Sequence, residues 1–324
     1  MVKLASAEMA EKKLATRAAF GATLAELAEE GVPVVAVDAD LTGSTTTKKF
    51  AAASPENADK LFNCGIAEQN MIDVAAGLAL TGHVAYTGSF AVFGTGRAYD
   101  QIRNTVCYSN LDVKICPTHA GVSVGPDGGS HQMLEDISLM RGLPNMRVLV
   151  PADYAAARAA IKLAAKTPGP VYVRMGRAAV PCVYDDDVEL ELGRAYVLRE
   201  GSDATVVACG VEIREALAAA DMLAEEGVSV EVIDAFSVKP LDEDTITASV
   251  AKTGCCVVAE EHSVHGGLGS AVAECLARKN PAPCEFVGVQ DRFGKSGEFE
   301  ELLGYFNLDA AAIVEAVKRA QGRK

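Results

Sequence analysis

Short apolar runs alternate with stretches of helical period along the first half of the chain, the pattern that a parallel sheet buried on both faces writes into a sequence. The period over Glu8 to Glu30 predicts a helix, and Val32-Pro33-Val34-Val35-Ala36-Val37 predicts a buried strand ending at Asp38. Met71 to Leu80 reads as helix, Val84 to Thr87 as strand, Ala98 to Cys107 as helix and Val113 to Cys116 as strand. Strand Arg147 to Val150, helix Ala152 to Lys166 and strand Pro170 to Met175 extend the series. Between Arg177 and Gly193 the period lapses and Asp185-Asp186-Asp187 follows, which predicts an exposed connection between domains. Beyond it come strand Ala204 to Cys209, helix Glu212 to Glu226, strand Ser229 to Ile233, strand Cys256 to Ala259, helix Leu268 to Arg278 and strand Glu285 to Val289. The expected architecture is α/β, with domains at 1–185 and 194–324, each a mainly parallel sheet flanked by helices. A length of 324 residues agrees with two domains.

Composition narrows the function classes. Hydrophobic residues at 49% and charged residues at 23% belong to a folded globular chain rather than a disordered one. A net charge of −14 argues against a nucleic-acid surface, which needs clustered Lys and Arg. No run of about 18 uncharged apolar residues offers a membrane span. Residues Met1 to Glu30 are alanine-rich, interrupted by Lys12, Lys13 and Arg17, and lack the apolar block of a secretory signal, so a cytoplasmic location is expected. The nine cysteines are odd in number, sit mostly in apolar runs and form no Cys-x-x-Cys pair. They read as reduced core residues, and no structural metal site is expected.

Chemistry concentrates between Leu61 and Gln132. The loop from Pro117 to Gln132 holds His119, Asp127 and His131 among four glycines, which let the backbone turn and approach a ligand closely. Imidazoles and a carboxylate on such a frame suit a polar, oxygen-rich small molecule, although a surface turn with satisfied histidines accounts for the same residues equally well. A zinc hydrolase built on His119 and His131 would lack any compact ligand motif. Glu68 stands at the start of a mostly apolar helix, where a carboxylate also serves simply to favour the N-terminus. Phe90 and Phe93 follow a strand, at the edge where open α/β sheets bind ligands, and with the carboxylate they describe a slot for a flat heteroaromatic ring. Alone, the two phenylalanines would read as core residues.

Four motifs, in this order and spacing, are specific together: Asp38-Ala39-Asp40-Leu41-Thr42-Gly43-Ser44, Gly65-Ile66-Ala67-Glu68, Ser89-Phe90-Ala91-Val92-Phe93 and the His119 to His131 loop. Through them the chain resembles, over essentially its whole length, the C-terminal portion of a transketolase, that is, the pyrimidine-binding domain followed by the C-terminal domain. The resemblance implies thiamine diphosphate as cofactor and a carboxyl from Glu68 on the aminopyrimidine N1′, in a setting expected to favour a protonated or proton-sharing carboxyl. It implies Phe93 and Phe90 as the aromatic wall, and Asp40 near the cofactor, although an aspartate at a strand end is commonly only a turn or cap. Ser44, His119 and Arg174 match positions that hold a sugar phosphate, as a hydroxyl donor with cationic donors, with Arg177 a nearby substitute. Asp127 matches a contact to a sugar hydroxyl, and His131 one to substrate and intermediate oxygens, where it could shuttle protons. Departures from the family pattern at Ala120, Pro126 and Ser130 bear on substrate preference rather than on cofactor class.

The family's Gly-Asp-Gly segment, which holds Mg²⁺ and the diphosphate, does not occur. Asp127-Gly128-Gly129 belongs to the substrate loop, and His265-Gly266-Gly267-Leu268-Gly269 either offers an anion a helix N-terminus or, the reading preferred, uses its glycines for close packing of the helix that follows. The resemblance thus implies one subunit of a split transketolase, serving carbohydrate metabolism in the manner of the pentose phosphate pathway. A separate N-terminal subunit would carry the metal site, self-association would run through both domains, and two copies of each chain would make a heterotetramer. The alternatives are the beta subunit of a 2-oxoacid dehydrogenase E1 component, whose substrate lacks a sugar phosphate, and a non-catalytic scaffold subunit. A relative of deoxyxylulose-phosphate synthase fits less well, since that enzyme carries both halves on one chain.

Overall fold

The computed structural model describes residues 2–324. Its strands are β1 (Lys13–Ala15), β2 (Val34–Asp38), β3 (Leu61–Asn63), β4 (Val84–Gly88), β5 (Val113–Ile115), β6 (Arg147–Leu149), β7 (Val171–Val173), β8 (Ala179–Pro181), β9 (Tyr196–Arg199), β10 (Ala204–Ala208), β11 (Val230–Asp234), β12 (Ser237–Lys239), β13 (Cys256–Ser263) and β14 (Cys284–Val289). A seven-stranded sheet runs β12-β6-β7-β5-β4-β2-β3, parallel except for the edge strand β12. A five-stranded sheet runs β14-β13-β10-β11-β9, parallel except for β9. Every residue of β2, β4, β10 and β11 is buried. Such strands show no alternation in sequence because helices cover both of their faces. The expected α/β class, with mainly parallel sheets flanked by helices, is the observed one.

Three stretches depart from expectation. In place of one helix over Glu8 to Glu30, there is a single turn at Ala7–Ala10, then β1, and only then a helix at Ala19–Glu29. Pairing of Leu14 with Val180 across the β1–β8 ribbon overrides the helical preference of the alanine-rich sequence. The helix expected from Ala98 to Cys107 belongs to a longer spiral that starts at Val92, much of it with the wider π winding, at Val92–Arg97 and Ile102–Tyr108. The supposed exposed connection is packed: Val180, Cys182, Tyr184, Val188 and Leu190 are buried. The Tyr184 hydroxyl donates to Asp234 Oδ2 at 2.5 Å, and the Asp153 carboxylate accepts the Val183 and Tyr184 amides. The burial of alternate residues at 180, 182 and 184 is a strand signal that the acidic triplet after it obscures.

The two sheets share their cores. One cluster joins Phe20, Tyr86 and Leu149 to Val206, Val232 and Phe236; a second joins Val37, Met71 and Ile115 to Val207, Ile233 and Val258. Strand β12, which follows β11 of the second sheet, crosses over to pair with β6 of the first. Apolar packing and a shared strand edge therefore fix the C-terminal sheet against the loops that leave the first one.

Candidate active site

In a parallel sheet the chain leaves every strand at the same edge, and ligands bind in the crevice outside that edge. The residues singled out from sequence follow β2, β3, β4, β5 and β7, so the topology gathers their backbones along one rim. Glu68 opens the helix Glu68–Leu80 and is 2% exposed. Its Oε2 lies 2.9 Å from Nη1 of Arg97, a side chain that remains 50% exposed. The same guanidinium lies 4.6 Å from the centre of the Phe93 ring. A flat group that bonds to Glu68 while covering the face of Phe93 is therefore accommodated, and Arg97 takes that place from within the chain. Sequence reading missed Arg97; the spacing Phe93-x-x-x-Arg97, one turn of a helix, is the signal it offered.

A ring cluster continues from Phe93. Its ring is 6.2 Å from Phe90, centre to centre, and 5.4 Å from His131, which meets it edge-on. Phe90 in turn stacks on His119 at 3.8 Å. Parallel bridging between Phe90 and Thr118, with the Ala91 amide donating to the Thr118 carbonyl at 2.7 Å, sets these two loops side by side. Burial, helped by the nearby Arg17 and Arg177 guanidiniums and by His131, pushes the His119 pKa down to about 3. His119 is thus a neutral hydrogen-bonding group and not the cationic donor that the sequence suggested; its Nδ1 lies 2.7 Å from Thr118 Oγ1. His131 is half-buried, and Asp127 is exposed.

The remaining candidates divide. Ser44 is half-buried, and its carbonyl accepts from Arg17 Nη1 at 2.8 Å. Asp40 is exposed and is bonded to Asn63, whose amide Nδ2 donates to Asp40 Oδ1 at 3.1 Å, so its visible contacts are those of a turn. Arg174 does not reach the rim with a free guanidinium. It is 6% exposed, its Nε donates to Asp136 Oδ2 at 2.7 Å, and its Nη2 donates to Asp136 Oδ1 and to the Glu261 carbonyl. Burial opposes its charge, but Asp136 and Glu261 outweigh that effect and raise its pKa above the usual arginine value. Arg177, one turn of chain further on, is half-buried instead. With Arg17 it lines a cleft of about 590 Å³ that Ser123, Glu298 and Phe299 also face. Two guanidiniums beside a neutral imidazole suit an anionic group. Among the described residues, no cluster of three or more His, Cys, Asp or Glu is arranged to hold a metal ion, and no helix is long and apolar enough to cross a membrane.

Comparison with known proteins agrees with this geometry. The transketolase pyrimidine-binding domain model matches residues 12–183, and the transketolase C-terminal domain model matches residues 193–313. A protein of Methanocaldococcus jannaschii, provisionally named a transketolase C-terminal section, is 45% identical over 93% of this chain and 94% of its own length. The 6-deoxy-6-sulfo-D-fructose transketolase subunit of Clostridium sp. (strain MSTE9) is 42% identical over 93% of this chain and 92% of its own. A solved split-gene transketolase, in an inactive beta4 tetramer, superposes with a TM-score of 0.87 at 48% identity, covering 96% of this chain and 99% of its own. The chain belongs to the transketolase family, whose domains imply dependence on thiamine diphosphate.

Proposed function

We propose that this transketolase-family chain is the C-terminal subunit of a split transketolase, moving a two-carbon ketol unit from a ketose phosphate to an aldose phosphate together with an N-terminal partner. One observation carries the reading: a buried carboxylate, Glu68, and an aromatic face, Phe93, already hold a flat donor group between them, next to a pair of imidazoles. Those are the contacts that an aminopyrimidine needs, so the residues present fit the pyrimidine half of thiamine diphosphate. The diphosphate and Mg²⁺ are assigned to the partner, because no Gly-Asp-Gly segment occurs here. The parallel is the solved split-gene relative, which is inactive as a tetramer of its beta chain. The proposed assembly is a cytoplasmic heterotetramer of two chains of each kind, with self-association through both domains; the split-gene relative's tetramer of beta chains supports the self-association.

When bound, thiamine diphosphate would supply a nucleophilic carbon. Glu68 would hydrogen-bond the aminopyrimidine ring nitrogen, which favours the imino tautomer of the amino group, in the place that Arg97 occupies here. Phe93 packs on the ring face, with Phe90 behind it. His131 stands beside Phe93 and exchanges protons with the substrate oxygens. His119, neutral and oriented by Thr118, bonds a substrate oxygen without adding charge. Arg17 and Arg177, with Ser44 close to Arg17, neutralise the anionic tail of the sugar, and Asp127 accepts from a sugar hydroxyl. In this arrangement Arg177 takes the role that the sequence gave to Arg174. A relative named for a sulfonated ketose is consistent with a site that recognises an anionic tail more than one particular sugar.

The test is reconstitution. The chain alone, supplied with thiamine diphosphate and Mg²⁺, should show no ketol transfer from xylulose 5-phosphate to ribose 5-phosphate. Mixed with a subunit bearing the Gly-Asp-Gly segment it should turn over, and it should not decarboxylate 2-oxoacids under the same conditions. Substantial transfer by the chain alone would overturn the split reading.

A further inference from the structure

Strand β13 of the C-terminal sheet carries Glu261, which is 2% exposed and points into the loop between His119 and Asp127. Its Oε1 accepts the Ser123 amide, and its Oε2 lies 3.7 Å from Arg174 Nη1. Gly121, at φ +81°, leaves room for this carboxyl; a side-chain carbon there would overlap it. At the other end of the loop, Gln132 is 4% exposed and clips two segments of the chain together. Its Nε2 donates to the carbonyls of Val122, Gly125 and Lys295, and its Oε1 accepts the Lys295 amide at 2.8 Å. A side-chain carbon on Gly129 would stand 2.6 Å from the Gly294 carbonyl oxygen. The glycines that sequence reading gave to close approach by a ligand thus make room for the C-terminal domain.

We propose that the C-terminal domain positions the substrate loop, through Glu261 on the Ser123 amide and through the 294–296 turn on Gln132. The inference rests on the reading above that His119, Asp127 and His131 face the substrate. Each of the three lies within eight residues of one of these two holds, so their aim is set from behind, by residues of the C-terminal domain. Glu212 packs near Glu261, buried with neither oxygen bonded, and burial followed by the Glu261 charge pushes its pKa well up. Burial pushes the Glu261 pKa up as well, against the pull of the Arg174 guanidinium and the Ser123 amide, and across the seam its Oε2 faces Arg174 at 3.7 Å. Both are positioning residues: they shape the loop and do not meet the reacting atoms.

Glu261→Ala, Glu261→Gln and Gln132→Ala separate positioning from mere stability. In the reconstituted complex, Glu261→Ala and Gln132→Ala should each raise KM for the ketose phosphate about tenfold, the scale of one lost hydrogen bond with charge. Glu261→Gln keeps an oxygen for the Ser123 amide and should restore KM to within a few-fold of the parent. Amide hydrogen exchange on the isolated chain should speed up across 119–132 in both alanine variants, while helix Tyr154–Lys166 stays protected. Unchanged exchange across the loop overturns the proposal, as does faster exchange with unchanged KM. The exchange measurement needs no turnover, so a parent complex without ketol transfer would sink the functional reading and still leave the loop hold to be decided by exchange.

Discussion

The cofactor rim and the domain seam each hold an arginine against a buried carboxylate, and the two pairs are built for opposite ends. Arg97 reaches Glu68 from a half-exposed position, so water or a ligand can replace it. Arg174 and Asp136 are sealed at 6% and 0% exposure, with Tyr172 and Glu261 closing the network. A pair with one member in water can be opened from the solvent side as long as a new donor meets the buried carboxylate, whereas a sealed one cannot lose a partner without stranding a charge in a low-dielectric interior. Arg174 and Arg177 make the same point three residues apart. The first is held in the seam between the two domains, and the second lines an open cleft with Arg17.

The largest effect expected from breaking this contrast lies at the rim. Glu68→Gln in the reconstituted complex should lower kcat about 100-fold or more while subunit assembly, followed by size-exclusion chromatography, is unchanged. Unchanged turnover would favour a scaffold role. At the seam the loss should be in stability: Arg174→Met strands Asp136 and should cost about 3–5 kcal/mol in urea unfolding. Arg177→Met should cost about 1 kcal/mol, the bond to the Val124 carbonyl, and instead raise KM for the sugar phosphate about tenfold. If the two arginine variants exchanged these behaviours, the division between rim and seam would be wrong.

The effect that is smallest at neutral pH is a pH dependence. His119 holds its proton less tightly folded, near 3, than unfolded, near 6.5. Below about pH 6.5 the unfolded chain takes up a proton that the folded chain refuses, so this residue's contribution to stability is whole above that value and falls away toward pH 3. His119→Asn should flatten the stability profile in that window by up to one proton and leave it unaltered above pH 7.

Much of the rim was legible in the chain because strand ends in a parallel sheet are marked by where apolar runs stop, and functional residues sit just past those stops. Glu68, Phe90, Phe93, His119 and His131, the candidates picked out this way, are brought into one cluster with Arg97. Arg97 and Arg17 were harder to see, since each acts through a neighbour brought by winding or by a turn elsewhere. Strands β1 and β12, three residues each with a single branched apolar residue beside a lysine, carry no apolar run to mark them and depend on a partner strand to take their hydrogen bonds.

Sequence by itself determined the α/β class and the set of side chains along one sheet edge, because hydrophobic period and motif spacing are local properties of the chain. Which arginine lines the open cleft, which histidine stays neutral and what fills the space beside the loop glycines were decided only in three dimensions. Burial and ion pairing depend on groups far apart in the chain, as Arg174 and Glu261 are, and no local pattern records which of them will meet.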